Sequence, residues 1–143
     1  MKWLDLPPFW LLGCLFVTWP IPVRAAWAHW PWLGTLTLVI AAALVGAALF
    51  EFRRARTTPI PHLTPSALIS NGIFRWTRNP IYLADLLILF GLSVIWAKPL
   101  GLLLVPVLWL ILERRFILAE EARLQAEFPE GFAVYAGTVR RWL

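Results

Sequence analysis

Hydrophobic residues dominate four stretches of the chain, at about 4–23, 33–52, 80–96 and 100–118. The second stretch carries one charge, Glu51, near its end and is long enough to cross ~30 Å of hydrocarbon. The first is interrupted by Asp5 and by prolines, which favours a short, tilted helix. The pattern therefore predicts an all-α integral membrane protein with about four transmembrane helices.

Polar and turn-forming residues separate these stretches. Prolines and an Asn71-Gly72 turn signal occupy the long loop 57–79, and Ala97-Lys98-Pro99 predicts a tight turn. Beyond Leu118 we expect an amphipathic stretch that breaks at Pro129 to Gly131 and leads into a basic tail. We thus predict one membrane domain, divided into two N-terminal spans (1–56), a cytoplasmic loop (57–79), a helical hairpin (80–118) and a cytoplasmic C-terminal helical cap (119–143).

Small residues in the second span predict where it packs. Ala42, Ala43, Gly46 and Ala47 form a stripe that is suited to close contact with another helix. In the fourth span, Pro106 is expected to kink the helix.

Composition supports the membrane assignment. Hydrophobic residues make up 60% of the chain and charged residues 15%, against about 45–50% and 25% in soluble proteins. A compact domain of this size cannot hide so much apolar surface from water, whereas a bilayer can. With one cysteine and no metal-ligand spacing, we expect neither a disulfide nor a metal site, and the apolar composition excludes a soluble nucleic-acid-binding domain.

The distribution of basic residues predicts the orientation. With four spans, one side receives eleven Lys and Arg and the other side two, although the net charge is only +5. The two on the minority side are Arg24 and Lys98. We therefore expect both termini in the cytoplasm, with the site facing it and the inner membrane of a bacterium as the location. Tryptophans 19, 27, 30 and 32 suggest an aromatic belt between the first two spans.

Three polar clusters are candidates for chemistry, and each has a plainer interpretation. The segment from Gly72 to Tyr82 combines a turn, two arginines, an amide and a phenol, but a basic membrane flank looks similar. Glu120 and Glu121 point about 100° apart on a helix, so one side chain, which we expect to be Glu121, faces the bundle and the other faces solvent. The plainer interpretation is a solvated helix face with ion pairs such as Glu120 to Arg123. The tail from Phe128 to Leu143 would also suit an interfacial segment on anionic lipid.

Two acidic residues fall inside the predicted spans. Asp85 lies about one turn into the third span, and Glu113 lies near the cytoplasmic end of the fourth. Ionisable groups within a membrane are functional hypotheses by default. For Asp85, an ion pair with an arginine of the 75–78 segment is the structural alternative.

Together these clusters resemble the membrane methyltransferase superfamily, which includes isoprenylcysteine carboxyl methyltransferases and phospholipid N-methyltransferases. The superfamily pattern is Gly-x-x-Arg-x-x-Arg-His-Pro-x-Tyr, a helical hairpin, Glu-Glu-x-x-Leu and a closing Tyr…Val-x-Arg. The resemblance covers about residues 70–143. The matching positions are Gly72, Arg75, Arg78, Pro80, Tyr82, Glu120, Glu121, Leu124, Tyr135, Val139 and Arg141.

The resemblance implies S-adenosylmethionine bound at the cytoplasmic end of the hairpin and a lipid or lipidated substrate that enters sideways from the bilayer. It implies that Arg78 and Arg141 orient the reacting groups. The implied cofactor-binding residues are Asn79, Pro80, Tyr82, Glu120, Glu121 and Tyr135. The tail pattern favours an isoprenylcysteine carboxylate over a phospholipid amine as methyl acceptor.

The sequence departs from the superfamily pattern at three positions. Asn79 replaces the histidine, Ala84 a glycine and Phe132 a tyrosine. Because an amide does not titrate near neutrality, Asn79 is limited to a structural or cofactor-contacting role. Two alternatives to the methyltransferase remain: a steroid-reductase-like enzyme that uses NADPH, which the Glu-Glu-x-x-Leu element argues against, and a scaffold that kept the fold and lost the chemistry.

Overall fold

The computed structural model describes residues 5–22, 30–58 and 66–143, and the regular secondary structure in these ranges is helical. No strand occurs in these ranges. The helices are α1 (Pro7–Thr18), α2 (Pro31–Arg54), a 3₁₀ turn (Gly72–Arg75), α3 (Pro80–Ile95), α4 (Pro99–Ile111), a π-helical turn (Leu112–Ile117), α5 (Leu118–Glu127) and α6 (Pro129–Thr138).

Proline sets the start of most helices. Pro7, Pro31, Pro80, Pro99 and Pro129 each occupy the first turn of a helix. Proline is favoured there because the first amides have no partner within the helix and its fixed φ suits the helical backbone. Pro129 therefore begins α6, and the expected break at 129–131 is only a junction between two helices.

The pair α2 and α3 forms the most extensive helix contact. At their crossing, a side-chain carbon added to Gly34 would collide with the Gly91 carbonyl. The backbones of α2 and α3 therefore lie closer together than any residue with a Cβ atom would allow. The buried small residues of α2 are Gly34, Ala41 and Ala48, seven positions apart.

The predicted packing stripe of α2 was therefore wrong. Ala42, Ala43 and Gly46 lie on the exposed side of the helix, and Ala47 is half-buried. A helix so rich in small residues offers several such stripes, and the residues on the partner helix decide which one packs. Here Gly91 selects the side that carries Gly34.

One helix in the described ranges, Pro31–Arg54, is long and apolar enough to cross a membrane. Only 17% of its most apolar stretch is buried within the protein, unlike the core helix of a soluble domain. The first predicted span is shorter than expected, because α1 covers only Pro7–Thr18. Arg24 and Trp27 lie outside the described residues, whereas Trp19, Trp30 and Trp32 are exposed.

Helix α4 of the hairpin continues into the cap without an intervening loop. The π-helical turn Leu112–Ile117 joins α4 directly to α5. Leu112, Phe116 and Ile117 are buried against Tyr82 and Leu86 of α3. An extra residue in one turn rotates the following side chains, and such turns are frequent at functional sites. The C-terminal cap therefore begins as an extension of the hairpin.

Candidate functional site

The C-terminal tail is fastened to the start of α3 by hydrogen bonds. The Arg78 amide donates to the Arg140 carbonyl at 3.1 Å, and the Asn79 side-chain amide donates to the Arg141 carbonyl at 2.9 Å. The Thr77 hydroxyl also donates to the Arg141 carbonyl, at 3.3 Å. Thr77 and Asn79 are both buried. These bonds bring together two predicted clusters that are far apart in sequence.

The turn before α3 depends on a glycine, as the Asn71-Gly72 signal predicted. Gly72 has φ +57°, a conformation that side chains other than glycine rarely adopt. A side-chain carbon at this position would also overlap the carboxylate of buried Glu51 on α2. The turn therefore packs directly against the end of α2 and leads the chain into the 3₁₀ turn.

Two arginines converge on Glu121. Arg141 donates from Nε and Nη2 to the two carboxylate oxygens at 3.0 and 2.7 Å, and Arg78 Nη1 lies 3.1 Å from Oε1. Arg141 also contacts Glu113 at 2.8 Å, and the Trp142 indole donates to the same carboxylate at 3.1 Å. The hydrogen bond to Glu121 raises the pKa of Arg141. The tail is therefore held by charge as well as by backbone bonds.

Glu120 has different surroundings from its neighbour. The Tyr82 hydroxyl donates to its Oε2 at 2.9 Å. Burial raises the pKa of the Glu120 carboxyl, while the Tyr82 hydrogen bond and the nearby charge of Arg123 act in the opposite direction. Both glutamates thus face protein, not one protein and one solvent as the helical geometry suggested. The two side chains point about 100° apart, but α3 contacts Glu120 on one side and the two arginines contact Glu121 on the other.

Aromatic side chains surround the polar network. The Tyr135 hydroxyl donates to the Phe74 carbonyl at 2.7 Å, and burial raises the pKa of this phenol, which therefore stays protonated. The Arg78 guanidinium lies over the Phe132 ring at 5.8 Å from its centroid. Phe52 of α2 and Phe74 meet edge to face, with 5.5 Å between centroids.

Two cavities meet at this network. A narrow cleft lies between the cap and the loop, and residues such as Thr58, Leu68, Glu121 and Tyr135 line it. We call it the polar cleft, because it carries more polar side chains than the second cavity. An apolar groove of about 310 Å³ runs between the start of α1, the end of α2 and the start of α3. Five residues line both cavities: Phe52, Phe74, Arg78, Asn79 and Glu120. We call these five residues the shared wall.

The structure gathers the eight predicted site residues at one end of the hairpin but divides them between the cavities. Pro80 and Tyr82 line only the apolar groove, and Glu121 and Tyr135 line only the polar cleft. Arg141 lines neither and acts through Glu121 and Glu113. Those that line both cavities are Arg78, Asn79 and Glu120.

Sequence reasoning missed the two phenylalanines of the shared wall. Phe52 and Phe74 were indistinguishable from other apolar residues, because only folding brings α2 next to the turn before α3. Asp85 is buried with its Oδ2 lacking a hydrogen-bond partner. Of the two arginines in the 75–78 segment that were alternatives for it, Arg78 contacts Glu121 instead. Within the described residues, no group of acidic, histidine or cysteine side chains is arranged to hold a metal.

The described residues thus form a helical hairpin with a polar network at one end. The family of phospholipid methyltransferases matches residues 29–131, well over half of the chain, so the protein belongs to that family. The match includes α2 and ends before Tyr135, whereas the motif resemblance began near residue 70 and included the tail. No curated protein and no solved structure matches the chain.

Proposed function

We propose that this protein transfers the methyl group of S-adenosylmethionine to the headgroup of a membrane lipid. Membership of the phospholipid methyltransferase family supports methyl transfer to lipid. The observation that carries the finer proposal is the shared wall. A water-soluble cofactor and a lipid must meet at one point, and here a polar cleft and an apolar groove share five residues.

The side chains that line the polar cleft suit the chemical groups of the cofactor. Arg78 Nε is buried and has no hydrogen-bond partner, so it offers a donor to a carboxylate or hydroxyl group. Asn79 and Glu121 add polar contacts, and Phe132 and Tyr135 add aromatic surface for a planar base. When bound, S-adenosylmethionine supplies an electrophilic methyl group on a sulfonium. The protein's part is to hold the reactants in line and exclude water, because methyl transfer depends chiefly on alignment.

The apolar groove fits the acyl or prenyl chains of the acceptor. Leu6, Pro7 and Pro8 form one side, and Val45 and Leu49 of α2 form the other. A lipid lying in this groove has its headgroup at the shared wall. Arg78 then contacts both the cofactor and the lipid. Arg141 holds Glu121 and the tail in position and contacts neither the cofactor nor the lipid.

The shared wall favours an amine acceptor. Glu120 and the faces of Phe52 and Phe74 are the groups that attract an ammonium, and Arg78 suits the phosphate beside it. A carboxylate acceptor would meet the negative charge of Glu120. We therefore propose an amine-bearing phospholipid as the acceptor, in place of the isoprenylcysteine carboxylate that the tail pattern favoured. The carboxylate stays the second candidate because of the unpartnered Arg78 Nε.

The same geometry is compatible with a four-span placement in the membrane. We propose that α1, α2, α3 and α4 are the four spans, so that the shared wall lies at the cytoplasmic surface with the loop and the cap. The short α1 and α3 then need local thinning of the bilayer. The eleven-to-two distribution of basic residues supports this orientation.

The test is a transfer assay with purified full-length protein in detergent. Labelled S-adenosylmethionine is supplied with mixed micelles that contain phosphatidylethanolamine or a prenylcysteine, and mass spectrometry identifies the product. We expect label on the amine, at least tenfold less with Arg78→Gln, and no change with exposed Arg75→Gln. Stabilisation by NADPH but not by S-adenosylmethionine would favour the reductase alternative. Binding of neither cofactor would favour the scaffold.

A further inference from the structure

The two adjacent glutamates are held in opposite ways. Glu121 is neutralised by Arg78 and Arg141, which together occupy both of its oxygens. Glu120 lines both cavities and receives a neutral donor, the Tyr82 hydroxyl. The two carboxylates therefore differ in their partners: two cations hold Glu121, and a neutral hydroxyl holds Glu120.

An amine acceptor creates a need that a carboxylate acceptor does not. A phospholipid amine is protonated at neutral pH, since primary amines have pKa values of about 10. An ammonium has no lone pair with which to attack a methyl group. It must lose one proton before the carbon–nitrogen bond can form, and a group at the site must accept that proton.

We propose that Glu120 accepts this proton, and that Tyr82 positions it for the task. The inference rests on the proposed function with an amine acceptor. The ammonium transfers one proton to the Glu120 carboxylate, which leaves a neutral amine. The nitrogen lone pair then forms a bond to the methyl carbon of S-adenosylmethionine as the carbon–sulfur bond breaks and its electrons stay on sulfur. The products are a methylated ammonium, neutral S-adenosylhomocysteine and a protonated Glu120 that returns its proton to water.

The composition of the shared wall singles out Glu120. Arg78 is a permanent cation, the Asn79 amide is not basic, and Phe52 and Phe74 have no titratable group. Glu120 is the member able to take up a proton. Burial, which raises its pKa, makes protonation easier.

Charged and titratable groups surround Glu120 on three sides. Tyr82 approaches from α3, Arg78 stands on the same wall, and Arg123 and Glu121 are neighbours on α5. The positive charge of Arg123 favours the ionised form of Glu120 and so acts against burial, which raises the pKa of this carboxyl. Because the Tyr82 hydroxyl fixes Oε2, the carboxylate is held in one orientation toward the junction of the two cavities.

The experiment compares Glu120→Gln with wild type across pH, using phosphatidylethanolamine micelles. The amide keeps the shape and an oxygen for Tyr82 but cannot accept the proton. We expect kcat at pH 7 to fall by about a hundredfold or more. The loss should diminish as the pH approaches the pKa of the free amine, about 10, because the acceptor then deprotonates without help. Glu127→Gln, an exposed change on the same helix, serves as the control.

A second measurement separates this role from cofactor binding. Calorimetry with S-adenosylmethionine alone should give an affinity for Glu120→Gln within threefold of wild type. A tenfold weaker affinity, or a loss of activity that is independent of pH, would overturn the proposal and make Glu120 a cofactor ligand. Near-normal activity at pH 7 would overturn it as well. If wild type methylates no lipid at all, the proposed function itself fails, which the wild-type assay reveals before any variant is made.

Tyr82→Phe tests the positioning role. This variant removes the hydroxyl that donates to Glu120 and keeps the ring in the core. We expect kcat to fall less than with Glu120→Gln and its pH dependence to shift, with KM for the lipid little changed. An unchanged pH profile would contradict a positioning role for Tyr82.

Discussion

The Asn79 side chain donates a 2.9 Å hydrogen bond to the backbone carbonyl of Arg141, 62 residues further along the chain. This contact joins Asn79, which immediately precedes α3, to Arg141, whose guanidinium binds Glu121 and Glu113. Asn79 is buried, and the carbonyl that it serves has one further donor, the Thr77 hydroxyl. The amide therefore has a structural role at a position where the superfamily pattern has histidine.

The stability of variants at Asn79 should depend on whether the new side chain can donate this hydrogen bond. Asn79→His keeps an N–H donor, so we expect a melting temperature near that of wild type and equal or tighter binding of S-adenosylmethionine. Asn79→Asp removes the donor and turns a carboxylate toward a carbonyl, which should cost about 1–3 kcal/mol. Thermal melting and calorimetry measure both effects. Unfolding of the histidine variant would show that the position is packed differently from the superfamily pattern.

Glu121 should matter more to folding of the tail than Glu113. Glu121→Gln leaves two arginines without their shared partner, at a site where its side chain is 16% exposed. We expect a loss of about 2–3 kcal/mol, below the 3–5 kcal/mol of a fully buried pair. After Glu113→Gln, Arg141 keeps its two bonds to Glu121, so the loss should stay under about 1 kcal/mol. Equal losses in melting experiments would contradict this hierarchy.

Much of the fold was predictable because proline and apolar length are local signals. The bounds of α2 and α3 lie within two residues of the predicted spans, and the Gly72 turn is where the Asn-Gly signal predicted it. The gathering of the site residues was predictable only through the resemblance. Their division between two cavities depends on how α2 and the cap pack, which no local pattern encodes. The packing side of α2 and the role of Phe52 were missed for the same reason.

Stability should depend on pH through Glu120. Burial makes its folded-state pKa higher than the unfolded one, so its contribution is fully favourable below the ordinary pKa of about 4.3 and is lost as the pH rises through the folded value. Glu120→Gln removes this dependence. We expect the variant to melt at a higher temperature than wild type at pH 7 and at the same temperature near pH 4. A variant that melts lower at pH 7 would mean that the Tyr82 bond and Arg123 outweigh burial.

The orientation predicts the behaviour of fused reporters. A reporter that is active only in the cytoplasm should function when fused after Leu143. One inserted at Lys98, in the turn between α3 and α4, should be inactive, and a reporter for the opposite side should give the reverse result. Equal activity at both positions would contradict the hairpin as two spans and would remove the proposed cytoplasmic placement of the shared wall.

The start of α1 forms one side of the apolar groove, and a cluster of three side chains, Asp5, Trp10 and Arg115, holds it in place. Arg115 Nε donates to both carboxylate oxygens of Asp5, at 2.8 and 3.0 Å. The Trp10 indole donates to the same carboxylate at 3.1 Å, and the Arg115 guanidinium lies 5.4 Å from the Trp10 ring centroid. Arg115 belongs to the π-helical turn, so this cluster ties the beginning of α1 to the hairpin. The next residues, Leu6 to Pro8, line the groove.

Breaking this cluster should affect the lipid and not the cofactor. Because the Arg115–Asp5 pair is exposed, Arg115→Gln should change the melting temperature little. The start of α1 is then less firmly held, and we expect KM for the lipid acceptor to rise severalfold with the affinity for S-adenosylmethionine unchanged. The double change Asp5→Arg with Arg115→Asp restores the pair with reversed charge and should recover much of the KM, whereas Asp5→Arg alone should not. Equal KM values in wild type and Arg115→Gln would show that α1 is held in place by its apolar contacts with α3 and α4 alone.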